Sequence, residues 1–151
     1  MKRIRYFVLF LIAFGVLLSP LMLDATNLAP APIDSAGVQA QPLQQNGITY
    51  LSGGIGVDEA RAIEQSQGYN LHMMFSIGVD NKFIPDVNVT VQNASGQTVL
   101  TLTEVGPLVY VQLPPGKYTI RATRNGEERH DRADVGSGAA RNLVFHWNGG
   151  E

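Results

Sequence analysis

Three histidines, four methionines and no cysteine bound the chemistry open to this chain. Without cysteine there is no disulfide, no thiol nucleophile and no thiolate zinc or iron–sulfur site. The stretch "HMM" at 72–74 sets an imidazole and a thioether two residues apart, a soft ligand pair suited to copper. On a strand His72 and Met74 share one face while Met73 takes the other. His130 and His146 stand on later segments. A metal or small-ligand site built from His72, Met74 and His146 therefore requires the fold to assemble it. A solvated outward histidine is the simpler reading, and no cofactor is expected. No Ser–His–Asp grouping has a local pattern, and no enzymatic activity is expected. The glycines of "GGIG" at 53–56 match neither phosphate-binding glycine template, and no Lys-Ser/Thr follows them. They mark a turn.

A second chemical feature is "ERHDRADV", which carries Glu128, Arg129, His130, Asp131, Arg132 and Asp134. Unpaired charges at this density are expensive to bury. They suit an edge strand, where charge resists indiscriminate strand addition. A specific extended peptide could still pair there, with Arg129 and Arg132 as its recognition residues.

The elements that must position these residues are mostly strands. In "YNLHMMFSI" the residues Tyr69, Leu71, Met73, Phe75 and Ile77 alternate with Asn70, His72, Met74 and Ser76, the period of a half-buried strand. "DVNVTVQ", "QTVLTLT", "LVYVQL", "KYTIRAT", "ERHDRADV" and "AARNLVFHW" follow, separated by "NASG", "EVGP", "PPG", "NG" and "GSG". Asn125-Gly126 is the strongest of these hairpin signals. Seven short strands at near-regular spacing predict an all-β fold, a seven-stranded antiparallel sandwich over 69–148. Phe75, Val89, Tyr118, Ile120 and Trp147 are its expected shared core. The region 47–68 reads as a leader with one short helix from Val57 to Gln67, its apolar stripe being Val57, Ala60 and Ile63.

Ahead of this lies "MKRIR", then the apolar run "YFVLFLIAFGVLLSPLML", then small residues around Ala25. That order is the pattern of a secretory signal peptide, expected at 1–25, and it places the mature chain in the periplasm or outside the cell. Retention of the run as an anchor is the alternative, and contact with a membrane is expected only through it. Residues 26–46, rich in Pro and Gln, read as a disordered linker. Removing residues 1–25 takes away Lys2, Arg3, Arg5 and Asp24, which leaves eight basic against twelve acidic residues and a net charge of −4. Nothing here supplies the basic footprint of a nucleic-acid binder.

"FIPDVNVTVQNASGQTVL" and "LPPGKYTIRATRNG" resemble the carboxypeptidase regulatory-like domain, a transthyretin-like seven-stranded sandwich. The resemblance rests on Asp86-Val87, Ser95-Gly96 and the run from Leu113 to Tyr118. With the export signal, it looks like small exported proteobacterial proteins that carry one such domain. It implies an Ig-like sandwich and no particular activity. Pilin-like adhesin domains of related shape can form a Lys–Asn isopeptide bond, for which Lys82, Asn142 and Glu104 are the nominees. Lys82 falls in a turn and Glu104 beside a break, so neither is expected to be buried. The function this sequence supports is a non-catalytic envelope module that contacts an unknown protein or glycan.

Overall fold

The computed structural model describes residues 40–149. The expected signal segment, and the expected linker as far as residue 39, lie outside the described residues. In chain order the elements are β1 (Leu43–Gln45), β2 (Ile48–Gly53), α1 (Val57–Glu64), β3 (Leu71–Ile77), β4 (Lys82–Phe83), β5 (Val87–Asn93) and β6 (Thr98–Val105). After these come β7 (Leu108–Gln112), β8 (Gly116–Arg124), β9 (Glu127–Val135) and β10 (Arg141–Trp147). One sheet has the order β1-β2-β7-β3-β10, with β4 paired to β3, and the other has the order β6-β5-β8-β9. The protein is an all-β sandwich with one short helix.

The seven strands expected from period-two patterning are β3 and β5 to β10. Three more strands join them, and one ladder departs from the antiparallel expectation. β3 and β10 run parallel in register from Leu71↔Arg141 to Ile77↔Trp147. The cause is the route of the chain. β9 ends one sheet and β10 ends the other, and residues 136–140 carry the chain across, so β9 rather than β3 sets the direction of β10.

The first sheet begins earlier than composition suggests. Asn46 and Gly47 have φ of 52° and 77°, the left-handed pair that a tight hairpin requires, and they join β1 to β2. β2 then pairs with β7 along Thr49–Gly53. The linker expected to reach residue 46 therefore contributes a strand at its end. Side chains of this hairpin also close one side of the sandwich. The Thr101 amide donates to Gln45 Oε1 at 2.8 Å, and Asn46 Nδ2 donates to the Val99 carbonyl at 3.4 Å. Open-edge groups of β6 are thereby satisfied without another strand.

Between the sheets, alternate residues of every long strand form one core that includes Phe75, Val89, Tyr118, Ile120 and Trp147. Phe75 is fully buried, with the rings of Phe145 and Trp147 at 5.8 and 6.4 Å. A smaller cluster of Leu51, Ile63, Leu108 and Tyr110 lies on the outer face of the first sheet, where α1 covers it. This explains why "LVYV" in β7 is apolar without alternation: it is covered on both faces. Only Ile63 of the expected helical stripe is buried, and Val57 is 75% exposed.

Candidate functional site

Four places hold the chemistry-bearing residues, and the structure treats each differently. The first is the glycine loop ahead of α1. Glu59 turns back so that its Oε2 accepts the amides of Gly54 and Ile55 at 2.9 and 3.2 Å. A Cβ on Gly53 would meet the Glu59 carboxyl at 2.7 Å. The loop thus holds an anion, but the anion is the chain's own, and it satisfies amides before the first helical turn. Behind this loop Gly106 approaches the Gly53 backbone so closely that a Cβ there would lie 2.6 Å from its carbonyl oxygen. The glycines of "GGIG" and "EVGP" pack against each other.

The second place is the outer face of β3 and β10. His72 is half-buried, its ring stacked on Tyr110 at 3.8 Å and 7°. Its Nδ1 lies 3.0 Å from Asn142 Oδ1, and its Nε2 lies 3.3 Å from the Tyr69 carbonyl. The expected solvated histidine is a packed one, because the Tyr110 ring covers it and Asn142 and the Tyr69 carbonyl hold its two nitrogens. Met74 is half-buried on the same face and packs beside the small cluster. His146 pairs in register with Ser76, four residues along from His72, and its Nδ1 lies 3.0 Å from Ser76 Oγ. Four strand residues span about 13 Å, too far for His72 and His146 to ligate one ion. Among the described residues no group of three or more His, Asp or Glu is placed to hold a metal. The nominees for an isopeptide bond are also apart. Lys82 registers with Ile77 and Asn142 with His72, Glu104 stands on the other sheet, and all three are exposed.

Third is β9, where the structure separates the two arginines of the expected recognition edge. Arg129 stands opposite Ala122 in the β8–β9 ladder, on the inner parity, and reaches across to β10. Its Nε donates to the His146 carbonyl at 3.0 Å, its Nη2 lies 3.1 Å from Glu127 Oε2, and its guanidinium sits 5.7 Å from the centre of the Trp147 ring. Trp147 Nε1 donates to the Glu127 carbonyl at 3.2 Å, and Arg141 Nε donates to the Asp134 carbonyl at 2.7 Å. These bonds tie the β9 margin to β10, so Arg129 is committed to holding the two sheets together. Arg132 faces the other way and is exposed.

The fourth place is a cleft of about 650 Å³ at the rim where β8, β9 and β10 meet the β5–β6 turn. Lys117, Arg132 and Arg141 line it, with Asp134, Gln92 and Asn142. Lys117 stands opposite Asp134, and Arg132 opposite Thr119, one step along the same ladder face. Among the described residues Lys117, Arg132 and Arg141 form no ion pair with a carboxylate. Asn93, at the turn, spends its Oδ1 on Ser95 and Gln97. Tyr118, beneath the cleft, donates its hydroxyl to the Pro114 carbonyl at 2.7 Å, and burial pushes its phenol pKa up. The phenol of Tyr110 is raised too, first by burial and then by the charge of Glu64. Sequence reasoning reached Arg132 but not Lys117 or Arg141. Their signal is that each is the cation beside a Gly-containing break that starts a strand.

By fold the chain is a two-sheet β-sandwich with a helix on one outer face, and among the described residues three cations without a carboxylate partner, Lys117, Arg132 and Arg141, line one rim cleft. No family model matches it, and no curated protein is similar to it.

Proposed function

We propose that the chain is a non-catalytic exported module that works in the cell envelope by contacting a protein or a glycan. The observation that carries this reading is the rim cleft, where three cations without carboxylate partners line one open space. The other polar clusters support it by being occupied internally: His72, His146, Glu59 and Arg129 all hold parts of the fold. The basic, apolar and small-residue order of the first 25 residues supports export to the periplasm or beyond. The "LPPGKYTI" turn and the two-sheet architecture support reading the domain as carboxypeptidase regulatory-like. In that reading the fold is a scaffold and its rim supplies the contact.

The test is photo-crosslinking in the native envelope, with a photoreactive side chain at position 132 or at the remote exposed position Val79. Adducts confined to position 132 are expected. Adducts equal at both positions, or absent from both, would overturn the reading. Intact mass of the exported protein adds a check on processing, since cleavage near Ala25 leaves a chain that begins near Thr26.

A further inference from the structure

We infer that the rim cleft is a subsite for an acidic saccharide, one whose sugar units carry carboxylates as uronic acids do. The inference rests on the module reading and narrows it to a ligand class. Arg141 has its Nε fixed to the Asp134 carbonyl at 2.7 Å, which leaves Nη1 and Nη2 without a partner among the described residues. A guanidinium anchored in this way presents two parallel N–H groups, the geometry that grips the two oxygens of a carboxylate. The Arg132 guanidinium makes no hydrogen bond to the described residues. Lys117 lies diagonally across the ladder from it, within reach of long side chains. Together they supply charge for a second carboxylate.

Asp134 decides between anions. Its carboxylate lines the same cleft as an acceptor only, so it is matched by a ligand that carries hydroxyl donors beside its carboxylates, whereas phosphate brings charge with at most one donor. The remaining lining suits hydroxyl groups. Gln92 keeps its Oε1 as an acceptor, since only its Nε2 bonds, to Thr98 at 3.5 Å. The Thr119 hydroxyl lies between Gln92 and Arg132 in the ladders. A space of about 650 Å³ falls within the range that takes a small ligand. An extended acidic peptide fits less well, because the β9 carbonyls at Glu127 and Asp134 are already bonded to Trp147 and Arg141.

The experiment is calorimetric titration of the exported protein with galacturonate trisaccharide, beside the neutral galactose trisaccharide, inorganic phosphate and an aspartate-rich peptide. The acidic saccharide should bind, weaken as salt is raised, and exceed each of the other probes. Arg132→Gln and Lys117→Gln should each lower affinity about tenfold, the loss of one charge-assisted hydrogen bond. Lys82→Gln, outside the cleft, should not change it. Circular dichroism melts confirm that each variant is folded. Equal binding of phosphate, tighter binding of the peptide, or insensitivity to both cleft variants overturns the inference. So does failure of the acidic saccharide to bind. If crosslinks at position 132 persist after that failure, the ligand class falls and the module reading stands.

Discussion

Arg129→Glu should destabilise the protein far more than Arg132→Glu, although the two residues lie three apart on one charged strand. Arg129 donates to the His146 carbonyl at 3.0 Å, and a hydrogen bond from a charged donor contributes about 1.5–3 kcal/mol. Its position 5.7 Å from the Trp147 ring centre adds about 0.5–1 kcal/mol. The contact with Glu127 joins side chains 35% and 60% exposed, so solvent screening holds it to about 0–1 kcal/mol. Because Arg129 is partly exposed, the lower ends of these ranges apply, and the loss is about 2–3 kcal/mol. Arg132→Glu should cost about 0.5 kcal/mol or less, as surface changes do. Urea unfolding followed by fluorescence of Trp147, the single tryptophan, measures both. With a slope of roughly 2 kcal/mol per molar urea, the Arg129 midpoint should fall by roughly 1 M and the Arg132 midpoint should scarcely move. Equal midpoints in the two variants would refute the assignment of Arg129 to the joint between the sheets.

Phe75→Ala removes a fully buried ring packed against Phe145 and Trp147 and should cost about 3–5 kcal/mol by the same assay; a loss below about 1 kcal/mol would mean the core packs differently. Gly106→Ala sets a Cβ against the Gly53 backbone at 2.6–2.9 Å, which should cost about 1–3 kcal/mol. An unchanged melting temperature would show that β2 and the β6–β7 break are not in contact. The raised phenols of Tyr110 and Tyr118 are protonated in the folded chain at pH values where the unfolded chain has begun to ionise. Their stabilisation is complete below the ordinary value near 10 and declines as pH rises past it. Melts between pH 9 and about 11 should show that decline, and the double change of Tyr110 and Tyr118 to Phe should flatten it.

Strand periodicity made β3, β5, β6 and β8 to β10 legible, because each has one buried and one wetter face. β7 was legible only as a strand: its continuous apolar run comes from α1 on its second side, which no local pattern announces. Asn125-Gly126 and Asn46-Gly47 carry the same turn chemistry, yet the second follows a Pro- and Gln-rich run whose composition reads as linker. β4, with two residues, is too short to have a period. The orientation of Arg129 was written in the sequence but masked by charge. Ala133 and Val135 are buried, and stepping back by two from Ala133 reaches Asp131 and then Arg129, on the same face. Charge density argued for a free edge, whereas the end of that edge lies beside β10 and is bonded to it.

The rim cleft could not be read locally because it joins the β5–β6 turn with the first residue after "PPG", the middle of β9 and the start of β10. What distinguishes its cations is a matter of hydrogen-bond accounting. Arg129 bonds to β10, Arg124 to the Pro85 carbonyl at 3.3 Å, and Arg121 lies 3.4 Å from Glu128. A cation satisfied in this way gains little from a ligand, which would have to displace an internal partner first. Lys117, Arg132 and Arg141 stand within one cleft and leave donors unmatched, so an incoming carboxylate replaces only water there. In a chain with a net charge of −2, an anion's general attraction to the protein is weak, and binding must come from local geometry. The salt dependence of saccharide binding should therefore reflect the two or three cleft cations and disappear with them, whatever charge is altered elsewhere on the surface.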